Sequence, residues 1–354
     1  MKDILKKYIC QQPFNYLDVQ LSGDYLCCPS WCPTNIRENE PAAWNSEAAK
    51  SVRRSILDGS YSHCQHEICP SLSEILHTGK VPHNFVTHEE FRQQHNVDST
   101  VDLMSLNYMP EEILFGFDRS CNLKCPSCRP SVVPNDEESS PAHLNKLKIL
   151  NLIEAKYAVG VKRLLITGSG DPFYSKIYRN YLLNFDKSKY EKIERIHLIT
   201  NAQLLNKKTW ETMAAKNLVE SMEISIDAGT AITYETQTRL GGTWSNLLEN
   251  LRFISTIKDN FNFLLLSMVV SEKNFTEMKL FYDLMNEIFK ESQFSISVNF
   301  RQHVHWGDGK YTEKEVENMQ VFRPEHPKFL HFKDELMKIH NLPNTNHNFH
   351  HLIT

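Results

Sequence analysis

The sequence predicts an α/β protein built from strand–helix repeats, with a small cysteine-rich α+β module at its N-terminal end. From residue 111 onward, short apolar runs alternate with stretches of helical period in six strand–helix steps. Parallel strands joined by helices wind in one direction, and six steps are too few to close an eight-stranded barrel. All nine cysteines fall within the first 128 residues, so any metal chemistry is built from the N-terminal third. The expectation is therefore a partial, TIM-like (β/α)6 barrel preceded by the cysteine-rich module.

Residues 1–75 form that module. DVQLSGDYLCC reads as a β-hairpin with Gly23 at the turn, and WNSEAAKSVRRSILDG as a helix with Asn45 or Ser46 as N-cap and Gly59 as the stop. Residues 76–110 are polar and read as an irregular connector. The barrel is expected over 111–323. Its strands are 112–118, 161–167, 193–200, 221–227, 262–270 and 294–300. Its helices are 141–158 with Pro141 in the first turn, 176–185, 206–217, 244–258 and 275–289. Residues 324–354 give a C-terminal helix over 326–340 and a polar, His-rich tail.

The bulk numbers narrow the class. A net charge of -4 offers no field for nonspecific nucleic-acid binding. No apolar run reaches the roughly 18 residues of a membrane span, and MKDILKKYICQQPFNYLDVQ does not read as a signal peptide. An odd cysteine count without a secretion signal argues against a disulfide framework.

CNLKCPSC carries Cys121, Cys125 and Cys128 at spacing C-x3-C-x2-C, in the loop after the first barrel strand. Chemistry in such barrels gathers at the C-terminal ends of strands. Three thiolates can hold three irons of a [4Fe–4S] cluster and leave the fourth iron open to a small molecule. A zinc knuckle or packed thiols is the other reading of the spacing. In this context the run resembles the signature of the radical S-adenosylmethionine (SAM) family. The resemblance implies that SAM chelates the open iron and is cleaved by one electron from the cluster, giving a radical that abstracts hydrogen from substrate.

The same resemblance extends along the strand ends. GSGDP, with Gly168, Gly170 and Asp171, stands where the family carries a Gly-Gly-Glu-Pro-like motif near the SAM amino group. Asn201 stands where the family often has Thr-Asn-Gly. The resemblance further implies that Ser225 and Asp227 line the SAM site and that Arg239 pairs with the SAM carboxylate. Ser127 departs from the aromatic residue often found before the last cysteine. His303 and His305 end the sixth strand and could face the barrel mouth, with Trp306 and Tyr311 nearby. The tail histidines His347, His350 and His351 are given no specific role.

Cys10, Gly23 and Cys28, followed by Cys64 and Cys69, resemble the auxiliary-cluster modules called SPASM and twitch domains, although here the module comes first. The resemblance implies a closed auxiliary [4Fe–4S] cluster on Cys10, Cys28, Cys64 and Cys69. Neighbouring residues of a strand face opposite ways, so Cys27 and Cys28 are not both easy ligands, and Cys28 fits the spacing better; Cys32 is an alternative ligand, and zinc is the rival metal. The expected function is a radical SAM enzyme, an oxidoreductase or bond-forming catalyst. Its substrate would be a sugar, small metabolite or peptide, and its electrons would come from a reductase such as flavodoxin or ferredoxin. The alternatives are a zinc-stabilised binding protein, or a degenerate radical SAM scaffold that binds a cluster without cleaving SAM.

Overall fold

The computed structural model describes residues 2–37, 43–96, 103–167, 169–258, 260–304 and 311–353. The chain forms two units. One comprises Met1–Asp118, Asp136–Gly168 and Asp186–Arg195; the other comprises Arg119–Asn135, Ser169–Phe185 and Ile196–Thr354.

The first unit holds β1 (Tyr8–Cys10), β2 (Tyr16–Gln20), β3 (Asp24–Tyr25), β4 (Phe85–Thr87), β5 (Glu112–Gly116) and β6 (Arg163–Ile166). The expected hairpin is β2–β3, with Asp18 opposite Tyr25 and the Gln20 N–H donating to the Gly23 carbonyl at 2.8 Å. β2 also pairs in parallel with β5, and β5 with β6, so the cysteine-rich segment contributes a strand to the parallel sheet. Leu17, Ile113, Phe115, Leu164 and Ile166 are fully buried, as parallel strands covered on both faces require. The helix Glu47–Leu57 is capped by Ser46, whose side chain accepts the Ala49 N–H. Its Arg53 is buried over the Trp44 ring and donates to the carbonyls of Pro13 and Met104.

The connector is more regular than expected. It contains β4, which pairs antiparallel with β1, and the helix His88–His95, started by a Thr87–Glu90 capping box and ended by Asn96 in the left-handed region. That helix buries only Phe91, so no apolar period announces it.

The second unit holds β7 (Arg195–Thr200), β8 (Val219–Ser225), β9 (Phe263–Val270), β10 (Ser295–Gln302) and β11 (Thr345–His347), all parallel and in chain order. One face is apolar: Leu198, Met222, Ile224, Leu264, Leu266, Val298 and Phe300 are fully buried. The helices Trp244–Ile254, Met278–Phe289 and Phe329–Ile339 bring their own buried rows, such as Leu247 and Leu251, Phe281 and Met285, and Phe332 and Leu336. The fold is thus α/β with parallel strands, consistent with a partial TIM-like barrel. The tail differs from expectation. Thr345–His347 forms the edge strand β11, with Phe300 opposite His347. A three-residue polar edge strand leaves no alternation to read. Among the described residues, no helix is long and apolar enough to cross a membrane.

Two tests follow from these packing features. Lys146 is buried and ion-pairs with Asp118 at 2.7 Å and Asp136 at 2.6 Å. Lys146→Met leaves the deeply buried Asp118 without its cation, and chemical denaturation is expected to show a loss of about 3 kcal/mol. His347 is buried beside His340 and His350, and its Nδ1 accepts the Phe349 N–H, so burial first and its histidine neighbours next hold its pKa down at about 4. The unfolded histidine titrates near 6.5, so stability is lost as pH falls from about 6.5 to about 4. His347→Gln is expected to flatten that part of a melting-temperature profile; an unchanged slope would contradict the assignment.

Candidate functional site

The loop after β5 gathers its three cysteines in one place. Cys121, Leu123 and Cys125 form a buried cluster, and Cys128 packs against it. Backbone bonds fix the loop: Cys121 and Val133 exchange N–H···O bonds, the Cys128 N–H donates to the Cys125 carbonyl at 2.8 Å, and the Lys124 N–H donates to the Leu240 carbonyl at 2.9 Å. Gly241, at φ +92°, makes the tight turn that presents Leu240 to this loop.

Each sulfur faces a nitrogen donor. Asn201 Nδ2 lies 3.8 Å from Cys121 Sγ, an Arg239 guanidinium nitrogen 3.5 Å from Cys125 Sγ, and two Arg129 nitrogens 3.3 and 3.4 Å from Cys128 Sγ. Arg129 is held in turn by the carbonyls of Arg119 and Ser169. Burial raises the thiols of Cys121 and Cys125, the latter to about 11, while Arg129 and Arg239 act to lower them. Two buried guanidinium groups beside the sulfurs would offset the charge of thiolate ligands. The three-cysteine set with its N–H donors fits a sulfur-ligated cluster whose charge and hydrogen bonding the protein tunes.

Two buried carboxylates brace this arrangement. Asp171 Oδ2 accepts from Thr200 Oγ1 at 2.8 Å and the Asn201 N–H at 3.0 Å; its Oδ1 accepts the N–H groups of Phe173 and Tyr174. Asp171 therefore ties the loop after β6 to the end of β7. Asp227 follows β8 in the left-handed region at φ 62°, and its Oδ2 pairs with Arg239 at 2.7 Å. Its Oδ1 accepts the Val269 N–H at 2.7 Å, and Ser127 Oγ donates to Oδ2 at 3.4 Å.

The expected site residues are thus distributed as follows. Cys121, Cys125, Cys128, Asn201, Asp227 and Arg239 come together. Asp171 is present as a brace whose carboxylate the protein already saturates. Arg239 is already paired with Asp227, and its buried Nε has no hydrogen-bond partner among the described residues. Ser225 ends β8, half-buried; Gly170 is half-buried; Gly168, His305 and Trp306 lie outside the described residues.

Arg129 escaped the sequence reading, although it directly follows the last cysteine. So did a polar sheet face. β8 and β10 place Ser221, Glu223 and Asn299, Arg301 on the face opposite the apolar one, with Ser267 between them on β9. Glu223 and Arg301 make a two-pronged ion pair at 3.0 Å, Ser267 Oγ donates to Glu223 at 2.9 Å, and His197 Nδ1 lies 2.8 Å from Ser221 Oγ. The signal was available: polar residues alternate at period two in EISID and SISVNFRQH, where a doubly covered parallel strand would be apolar throughout.

In the first unit a small cavity of about 20 Å³ is lined by Cys10, Cys27, Cys32, Cys64 and Cys69, with Pro13, Ile56, Leu72 and Phe85 among its apolar walls. On the same measure one water needs about 10–15 Å³. The nine cysteines form no disulfide. Cys28, which the sequence favoured, does not line this cavity. β3 ends at Tyr25, and a turn follows in which the Trp31 and Cys32 N–H groups donate to the Cys28 carbonyl. That turn delivers Cys32 to the cavity and leaves the Cys28 sulfur near Ser30 and Asp18. Burial pushes the Cys10 thiol up to about 12.

Arg239→Met strips the cation from the fully buried Asp227. Denaturation is expected to show a loss of about 3–5 kcal/mol, with the Asp227→Asn/Arg239→Met pair recovering part of it. Additive losses would contradict the pairing.

Comparison with known proteins gives a family match. Residues 117–285 match the model of the radical SAM superfamily. Solved structures with similarity include TYW1 with a lysine–pyruvate adduct bound, at 17% identity, 64% of this chain, 71% of that chain and TM-score 0.39. Native anSMEcpe with bound AdoMet is 18% identical over 66% of this chain and 63% of its own, at TM-score 0.43. A radical SAM methyltransferase from Sphaerobacter thermophilus is 9% identical over 64% and 63%, at TM-score 0.34. This chain thus spans less than two thirds of the latter two. A comparison with curated proteins gave no match. Cys121, Cys125, Cys128, Asp171, Asn201, Asp227 and Arg239 all lie within the segment that matches the radical SAM superfamily model.

Proposed function

We propose that this protein is a radical SAM enzyme that abstracts hydrogen from a small polar substrate. The observation that carries the reading is the loop of three clustered cysteines, each facing a nitrogen donor, inside the segment that matches the superfamily. Cys121, Cys125 and Cys128 would hold a [4Fe–4S] cluster with one iron open to SAM. When bound, the cluster and SAM supply a one-electron cleavage that yields a hydrogen-abstracting 5′-deoxyadenosyl radical.

The chain's own residues position these parts. Asn201, Arg239 and Arg129 direct N–H groups at the three sulfurs and offset their charge. The Arg239 Nε is a buried donor available to a carboxylate such as that of SAM. Asp171 and Asp227 hold the strand ends that carry Asn201 and Arg239. Gly168, Gly170 and Ser225 are proposed to line the same SAM site. The polar face of Glu223, Ser267, Asn299 and Arg301 supports a hydroxyl- or amine-bearing substrate, a sugar or other small metabolite before a peptide.

The N-terminal cysteines support a second, auxiliary cluster that passes an electron to or from the substrate radical, as an oxidation or a bond formation would use. A flavodoxin- or ferredoxin-type reductase in the cytoplasm would supply electrons. The test is anaerobic: protein reconstituted with iron and sulfide is mixed with dithionite and SAM, and 5′-deoxyadenosine is quantified. The parent is expected to form it, and Cys121→Ala/Cys125→Ala/Cys128→Ala to stay at the protein-free background. Equal yields from both would overturn the proposal.

A further inference from the structure

We infer that the N-terminal cage holds a four-iron cluster on Cys10, Cys27, Cys69 and one corner shared by Cys32 and Cys64, and that Cys28 is not a ligand. The inference rests on the two-cluster reading above and deepens it.

The donor set is all sulfur. Five thiols line one cavity whose other walls are apolar. The nearby histidines are used elsewhere: His63 bonds Thr34 and Ser51 through its two ring nitrogens, and His66 Nε2 lies 3.1 Å from the Tyr61 carbonyl. The sulfurs surround a space rather than converge on a point. Among the described residues, no three His, Cys, Asp or Glu side chains are placed to hold one ion. A closed zinc site needs four ligands within about 2.3 Å of one centre. A cluster of bridged irons instead takes thiolates held apart around its core.

No described lysine or arginine lines the cavity, so the charge of any thiolate ligands there would have to be offset by the group they hold. The five positions are well fixed. Cys10 sits on β1, and its N–H donates to Tyr61 Oη, which donates to the Tyr8 carbonyl. Cys69 stands just before the helix Pro70–Thr78, with N–H groups of Ser71 and Leu72 at its sulfur. Cys32 and Cys64 line the same cavity, and either can serve the remaining corner. Cys28 instead has its sulfur in its own turn beside Asp18.

The experiment uses the full chain carrying Cys121→Ala/Cys125→Ala/Cys128→Ala, so that only the N-terminal site binds iron. After anaerobic reconstitution, about four irons and as many sulfides per chain are expected. Adding Cys10→Ser, Cys27→Ser or Cys69→Ser should empty the site, and Cys28→Ser should leave it filled. Cys32→Ser and Cys64→Ser should each retain at least half the iron, and together lose it. As a check that needs no further variant, thiol alkylation of the filled protein should label Cys28 and protect Cys10, Cys27 and Cys69. Loss of iron in Cys28→Ser with retention in Cys27→Ser, or labelling of Cys27 with protection of Cys28, would overturn this ligand set and leave the second cluster standing. So would an empty site in either Cys32→Ser or Cys64→Ser alone overturn the shared corner. No iron in the starting variant, or one zinc per chain, would overturn the second cluster itself.

Discussion

The ion pair between Asp227 and Arg239 is the constraint on which the site depends. Both groups are buried, at 1% and 8% exposure, so neither charge can be left without the other. The pair fixes a guanidinium against Cys125, and the same carboxylate takes the Val269 N–H and the Ser127 hydroxyl. One carboxylate in the left-handed region thereby joins the ends of β8 and β9 to the cysteine loop. Asp171 does the equivalent job for β7, and its four accepted hydrogen bonds place Asn201 beside Cys121. The loop is ordered by strand ends it meets only in three dimensions.

The two sulfur sites are built on different electrostatic terms. Around Cys121, Cys125 and Cys128 the protein supplies two arginines and an amide. Such a site tolerates a ligand with its own carboxylate, because the cations are in place. Around Cys10, Cys27, Cys32, Cys64 and Cys69 the walls are apolar, and the Asn84 side-chain amide lies 3.7 Å from the Cys10 sulfur. That cage suits a group fully ligated by protein. These surroundings support the proposed open position at one site and the proposed closure at the other.

The strand–helix series was legible because apolar periods of two and 3.6 announce it, and the three-cysteine loop because its spacing is short and local. β11 and the helix His88–His95 were not, since neither buries enough apolar surface to leave a pattern. The braces were half-legible: Asp171, Asn201, Asp227 and Arg239 could be picked from their positions after strands, but not their use. Asp171 was expected at the cofactor; its carboxylate accepts the Thr200 hydroxyl and three backbone N–H groups. Cys28 was preferred over Cys27 on spacing, whereas Cys27 and not Cys28 lines the cavity. The strand ends at Tyr25, and a turn decides the direction of each sulfur. Arg129 and the Glu223–Arg301 pair needed the sheet register before they could be seen as neighbours of anything.

The central claim is that the loop cluster leaves one iron open to SAM. Electron paramagnetic resonance of the reduced, reconstituted protein, recorded with and without SAM, tests it most directly. The account predicts a SAM-dependent change in the reduced-cluster signal of the parent, absent from Cys121→Ala/Cys125→Ala/Cys128→Ala, whose remaining signal ignores SAM. A parent spectrum with both clusters reduced and no response to saturating SAM would contradict it.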